Sequence, residues 1–253
     1  MKKYRILISN DDGINALGLK RLVAFAKPFG EVTVVAPDRN HSGQSHSVTV
    51  GTPLRLNRIV EEEGYREYSC SGTPVDCVKI GLQQLFEEPP DMVLSGINHG
   101  NNAGASFFYS GTMAAAREGT LGGIPSIGFS LCNQARDAVF SACQKPVEQL
   151  LTHVVAHGLP PGITLNVNIP DLPAEAIKGV KMCRMAKGRW REHFDKRVDP
   201  YGKEYYWISG QYRVMDEGPD MEHAVLDEGY VAVVPLSLDC TAYDYLKNTS
   251  FHV

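Results

Sequence analysis

Over its first 130 residues the chain alternates continuous apolar runs of strand length with segments of helical spacing, and this restricts its fold more than any other feature. Tyr4 to Ser9 is such a run, and Gly18 to Phe29 follows it with Leu19, Leu22, Val23, Phe25 and Ala26 on one broad face. Glu31 to Ala36 is a second run, stopped by Pro37-Asp38. Val75 to Phe86 reads as a helix behind Thr73-Pro74, Met92 to Ser95 as a short strand, Thr112 to Glu118 as an Ala-rich helix and Ser126 to Leu131 as another strand. Strands that are apolar on both faces and separated by helices predict an α/β fold whose mainly parallel sheet is covered on both sides. Ligands of such sheets bind beyond the carboxyl ends of the strands, so the loops after Ser9, Ala36 and Ser95 are where chemistry is expected.

The pattern changes in the second half. Ala138 to His157 predicts a long amphipathic helix, Ile163 to Ile169 alternates like a strand, and Gly229 to Pro235 is one more strand. Val180 to Arg191 and Glu204 to Ser209 flank Asp199-Pro200-Tyr201-Gly202, a strong turn sequence. The stretch 180–228 is too polar and too spotted with aromatics to form a core alone, so it predicts a hairpin arm of the kind used in oligomer contacts. The expected division is a catalytic core over 1–179, the arm over 180–228, and a C-terminal strand and tail over 229–253 that packs on the core or on a partner subunit.

Charge excludes one class of function. Lys and Arg total 25 against 29 Asp and Glu, with no basic block longer than a pair, so nothing demands the electropositive face of a nucleic-acid binder. Small anionic substrates stay open, because a bound metal supplies positive charge that composition never counts. The apolar run after the basic start is only Ile6-Leu7-Ile8 before Asn10-Asp11-Asp12 intrude, which no signal peptide tolerates. No stretch approaches the roughly 20 apolar residues of a membrane helix. The six cysteines are scattered without a C-x-x-C pair and read as free thiols in a reducing compartment, so the expected location is the cytoplasm.

Four loops carry residues suited to catalysis. In Ser9-Asn10-Asp11-Asp12-Gly13 two carboxylates can converge just past a strand end, where hard oxygen ligands suit Mg²⁺, Mn²⁺ or Ca²⁺; a solvated turn is the plainer alternative. Ala36 to Ser45 is dense in hydroxyl and amide groups that can complete an oxygen coordination sphere. Ser95 to Gly104 holds three glycines and three asparagines, among them Asn98, a neutral oxygen donor. In Tyr109-Ser110-Gly111-Thr112, Ser110 is a natural N-cap and the first-turn amides behind it form an anion site. Together they supply carboxylates for a cation and amides for an anion, the equipment of metal-assisted phosphoester hydrolysis.

Other chemistries fail on spacing. Strand one is followed by Asp11-Asp12-Gly13 instead of G-x-G-x-x-G, and neither G-x-x-x-x-G-K-[ST] nor G-x-S-x-G occurs. A phosphatase with an aspartyl nucleophile usually shows D-x-D, whereas the position two beyond Asp11 is Gly13. His153 and His157 sit four apart on a predicted helix, but with no third ligand they read as a helix face and not a zinc site. Glu61-Glu62-Glu63 reads as a solvated loop. Trp190, Tyr205, Tyr206 and Trp207 are expected to pack in the hairpin or between subunits, with base stacking as the alternative.

The stretches ILISNDDGINALG, VVAPDRNHSGQS, CSGTPVDCVKIG, SGINHGNNAG, YSGTMAAAREG and DEGYVAVVPLSLD, in that order, resemble the SurE family, the survival protein E nucleotidases. The resemblance runs from residue 5 to about residue 240. It implies a Rossmann-like α/β core with a C-terminal β arm exchanged between subunits of a homodimer or homotetramer. The implied activity is release of phosphate from nucleoside 5′- and 3′-monophosphates, with action on short polyphosphate as well. It further implies one Mg²⁺ or Mn²⁺ per subunit on Asp11, Asp12, Ser42 and Asn98, and phosphate contacts from Asn98, Asn102, Ser110, Gly111 and Thr112. Asp11, Asp12 and Asn98 would be the catalytic residues, acting on metal-activated water without a covalent intermediate. The chain departs from the family at Ala105-Ser106, where an acidic residue is frequent, and at Tyr243, where some members carry a histidine that acts with the aspartate matched by Asp239. Two other functions fit the same residues: a broad acid phosphatase or exopolyphosphatase, and a non-catalytic nucleotide-binding module.

Overall fold

The alternation of apolar runs and helical segments becomes a nine-stranded sheet with helices on both faces in the computed structural model, which describes residues 3–135 and 137–249. Residues 1–2 and 250–253, the outer ends of the first and last expected divisions, lie outside the described residues. In chain order the elements are β1 (Tyr4–Ser9), α1 (Leu17–Ala26), β2 (Gly30–Pro37), β3 (Leu56–Glu62), β4 (Tyr65–Cys70), α2 (Pro74–Gln84), β5 (Met92–His99), α3 (Gly111–Leu121) and β6 (Ser126–Leu131). There follow α4 (Gln144–His157), β7 (Ile163–Ile169), β8 (Val180–Met182), β9 (Gly188–Val198), β10 (Glu204–Val214), α5 (Glu222–Asp227), β11 (Val231–Ser237) and α6 (Tyr243–Asn248).

The sheet order is β3-β4-β2-β1-β5-β6-β7-β11-β8. Its centre is parallel, as expected, and two pairs are antiparallel: β3 with β4 at one edge, and β11 with β7. Because side chains alternate along a strand, each central strand feeds two cores. Ile6 and Ile8 face Leu19 and Leu22 of α1 and Val147 and Leu151 of α4, while Leu7 and Val93 face Cys77 and Val78 of α2 and Ala115 of α3. Burial on both faces is why these strands read as continuous apolar runs.

Several boundaries differ from the sequence reading for physical reasons. Strand β5 continues past Ser95 to His99, so Asn98 sits on a strand end and not in a free loop. Helix α4 starts at Gln144 after a 3-10 turn at Phe140–Cys143, because Pro146 fits only the first turn of a helix. The β3–β4 hairpin lacked a clear apolar signal, and Glu61 and Glu62 are the exposed end of β3, paired with Arg66 and Tyr65. Within 180–228 the free two-stranded ribbon is only β9 and β10, with the expected turn between them. Strand β8 joins the main sheet beside β11, and Val225 of α5 is buried. No helix among the described residues is long and apolar enough to cross a membrane.

Candidate active site

The carboxyl ends of β1, β2 and β5 and the start of α3 meet at one edge of the sheet. The turn after β1 is held by Asn10, which is buried: its amide donates to the Gly13 carbonyl at 3.1 Å and its Oδ1 accepts from the Gly13 amide at 3.2 Å. The loop after β2 is tied to that turn, the His41 amide donating to the Asp11 carbonyl and the Ile14 amide to the Pro37 carbonyl, both at 2.8 Å.

Asp11 is only 3 % exposed. Its carboxylate accepts the Thr112 hydroxyl, and helix α3 comes so close that a Cβ on Gly111 would lie 2.7 Å from the Cβ of Asp11. Glycine at 111 therefore allows the helix start to abut the acid. Burial away from water pushes the Asp11 carboxyl up to about 6; the Thr112 hydrogen bond opposes this and the neighbouring Asp12 charge adds to it. Asp12 points toward His99, whose ring Nδ1 and backbone amide both lie 3.4 Å from its Oδ2. His99 in turn packs edge-on against Phe140 at 4.8 Å.

Asn98 donates its side-chain amide to the Gly100 carbonyl at 2.8 Å, which leaves its Oδ1 as the free oxygen. Ser110 caps α3, its hydroxyl accepting from the Met113 amide at 3.0 Å, and the amides of the first turn keep no intrahelical partner. Asn102 is anchored from below by a buried amide set. Its backbone amide donates to Asn168 Oδ1 at 2.8 Å, its side chain donates to Ser130 Oγ at 2.8 Å, and its carbonyl accepts from Asn166 at 2.9 Å.

Of the eight site residues expected from sequence, Asp11, Ser42, Asn98, Asn102 and Ser110 line one cavity of about 490 Å³. Asp12, Gly111 and Thr112 stand outside its lining, and the Thr112 hydroxyl is committed to Asp11. Three further sets of residues belong to this site, and among them only Trp190 carries a ligand reading in the sequence, base stacking as the alternative to packing. His99 follows Asn98 directly. Asn166 and Asn168 are two amides at alternate positions of a buried strand, and with Thr164 they make one of its faces polar, a pattern that signals required partners. The third set, Trp190, Glu192 and Ile208, comes from the β9–β10 hairpin and lines the same cavity with Ser106. At the second family departure, the Tyr243 hydroxyl donates to the Asp239 carboxylate. A larger cleft of about 690 Å³, lined by Lys27, Glu31, Glu62 and Tyr65 among others, opens where the parallel strands begin, the edge at which such sheets do not bind ligands.

The donors fit a hard cation. Two carboxylates, one of them buried with its charge poorly compensated, stand with a hydroxyl and a free amide oxygen at one strand edge. Among the described residues no three His, Cys, Asp or Glu gather as a metal cluster, so a cation would rest on mixed charged and neutral oxygens.

Comparison with known proteins agrees with the order of these loops. The family model described as "Survival protein SurE" matches residues 6–192. The chain is 47% identical over 251 residues to the 5′-nucleotidase SurE of Christiangramia forsetii, covering 98% of this chain and 96% of the relative. It is also 47% identical over 247 residues to that of Cytophaga hutchinsonii, covering 97% and 95%. The crystal structure of the SurE protein from Aquifex aeolicus superposes with a TM-score of 0.82 at 40% identity, covering 96% of this chain and 97% of that one.

Proposed function

The chain belongs to the SurE family, and from that premise we propose that it is a divalent-metal-dependent phosphatase that releases phosphate from nucleoside 5′- and 3′-monophosphates. The reading is carried by the convergence of a buried carboxylate, neutral oxygen donors and a capped helix N-terminus on one cavity. Asp11, Asp12, Ser42 and Asn98 would hold one Mg²⁺ or Mn²⁺. When bound, such an ion polarises a phosphoryl oxygen and lowers the pKa of coordinated water.

The chain's own groups do the rest. Thr112 and Gly111 fix the Asp11 carboxylate, one by its hydroxyl and the other by its missing side chain. His99 borders Asp12, with its ring Nδ1 3.4 Å from that carboxylate. The first-turn amides of α3 face charge that develops on the transferred phosphoryl group, where fixed dipoles in a partly dry site act most strongly. The six cysteines stand outside the lining of this cavity, in keeping with direct transfer to water without a phosphoenzyme. The hairpin's exposed Tyr205, Tyr206 and Trp207 suit contact with another subunit of a homodimer or homotetramer, which a solution mass of one subunit would refute.

Phosphate release from AMP separates this reading from its rivals. Activity should vanish with EDTA and return with Mn²⁺. A nucleotide-binding module would show no turnover in either state, and an exopolyphosphatase would prefer short polyphosphate over AMP in the same assay.

A further inference from the structure

The candidate site has two unlike walls. One is the polar rim of Asp11, Asn98 and Ser110. The other belongs to the hairpin and presents Trp190, Glu192, Ile208 and Gly210. The register pairs Trp190 with Tyr212, Glu192 with Gly210 and Phe194 with Ile208, so these residues share one face of the ribbon. Trp207, opposite Asp195, lies on the other face.

The cavity-side face is mounted on the core through Tyr212. Its hydroxyl accepts from the Ala105 amide at 3.0 Å, and its ring stacks on His223 with centroids 5.5 Å apart and planes 6° from parallel. Trp190 meets Tyr212 edge-on at 5.9 Å. The fit is tight, since a Cβ on Gly104 would lie 2.1 Å from the Tyr212 hydroxyl. Glu222, fully buried, secures the same junction by accepting from the amides of Gly104 and Ala186. Trp190 is therefore a half-buried ring held in place across the cavity from the phosphate-side donors, and Ile208 beside it is 66 % exposed.

We propose that Trp190 and Ile208 form the platform on which the base of a nucleoside monophosphate lies, while Glu192 accepts from the ribose hydroxyls. This rests on the phosphatase reading of the same site. With a cation offsetting Asp11 and Asp12, the charges would fix the direction of binding: the phosphate goes to the helix N-terminus and away from Glu192, which would repel it. A flat indole recognises the π face that every base has, so this wall selects nucleotides over smaller phosphate esters without choosing among bases. A cavity of about 490 Å³ has room for both ends of such a ligand.

The test compares AMP with ribose 5-phosphate, which keeps the phosphate and the sugar but lacks the base. Trp190→Ala should lower the ratio of kcat/KM for AMP over ribose 5-phosphate by about tenfold or more, chiefly through a higher KM for AMP. Trp190→Phe should restore most of the ratio, and Trp207→Ala, on the opposite face, should leave it unmoved. In Trp207→Phe protein Trp190 is the sole tryptophan, and AMP should quench its emission more than ribose 5-phosphate does. A ratio that stays within about twofold in Trp190→Ala, or equal quenching by the two esters, overturns the platform while leaving the phosphatase intact. Wild-type protein that hydrolyses neither ester with Mn²⁺ overturns the phosphatase reading, and the platform falls with it.

Discussion

The strand edge that carries Asp11 and the hairpin that carries Trp190 line one cavity but are built on opposite terms. At the strand edge the polar groups are buried and largely committed: Asn10 to Gly13, Thr112 to Asp11, Asn102 to Ser130, Asn166 and Asn168. On the hairpin the large apolar side chains are open, with Phe194 at 65 % and Trp207 at 61 % exposure. The first region is organised by the core it closes, and the second is placed by a single docking point and keeps surface for other molecules to cover. Chemistry that tolerates little displacement belongs on the first kind of element. Recognition of a variable nucleoside can use the second.

Substitutions on each side test that contrast. The largest expected effect is at the strand edge: Asp12→Asn should cut kcat for AMP with Mn²⁺ by roughly 10²-fold or more while circular dichroism stays native, since losing even an outer partner of a metal site costs 10–100-fold. Near-normal turnover in that variant would remove Asp12 from the machinery.

An intermediate effect is expected where the two regions join. Gly104 has φ +54 and no room for a Cβ against Tyr212, so Gly104→Ala should shift the hairpin. The expected outcome is a several-fold loss of preference for AMP over ribose 5-phosphate, with a lower melting temperature. An unchanged preference would mean that the hairpin is not held by this junction.

The smallest effect is thermodynamic, and its sign runs against function. Burial raises the Asp11 carboxyl from 3.8 to about 6 in the folded protein. The folded state thus holds that proton more tightly than the unfolded chain, and the associated stability is present below 3.8 and lost as pH rises through about 6. Asn keeps an acceptor for Thr112 without the charge, so metal-free Asp11→Asn protein should melt a few degrees above wild type at neutral pH. The difference should close near pH 4. A melting temperature below wild type at pH 7 would show that the Asp11 charge is already compensated.

Most of the central sheet and the strand-edge loops were legible because their signals are local. A strand buried on both faces must be apolar throughout, and Asn-Asp-Asp-Gly directly after one places acids at the binding edge of a parallel sheet. The β3–β4 hairpin was not legible, because strands such as Leu56–Glu62 face water and carry no apolar run. The extension of β5 to His99 was hidden by Gly96 and the polar residues after it, which read as a loop. Trp190 carried an ambiguous signal, since an aromatic on a polar ribbon serves packing, oligomer contact or ligand binding equally well until its neighbours are known.

By itself, then, the sequence determined a parallel α/β core, acids and amides at its carboxyl edge, a capped helix start and a hairpin to follow, all consequences of short-range periodicity and spacing. The tertiary structure alone decided that Thr112 serves Asp11, that Asn166 and Asn168 support Asn102, and that the hairpin folds back to face the acids across a shared cavity. These are contacts between residues that lie from 64 to 107 positions apart where hydrogen bonds record them. No local pattern encodes such pairs, because closing so long a loop has an entropic cost that only the packed core as a whole offsets.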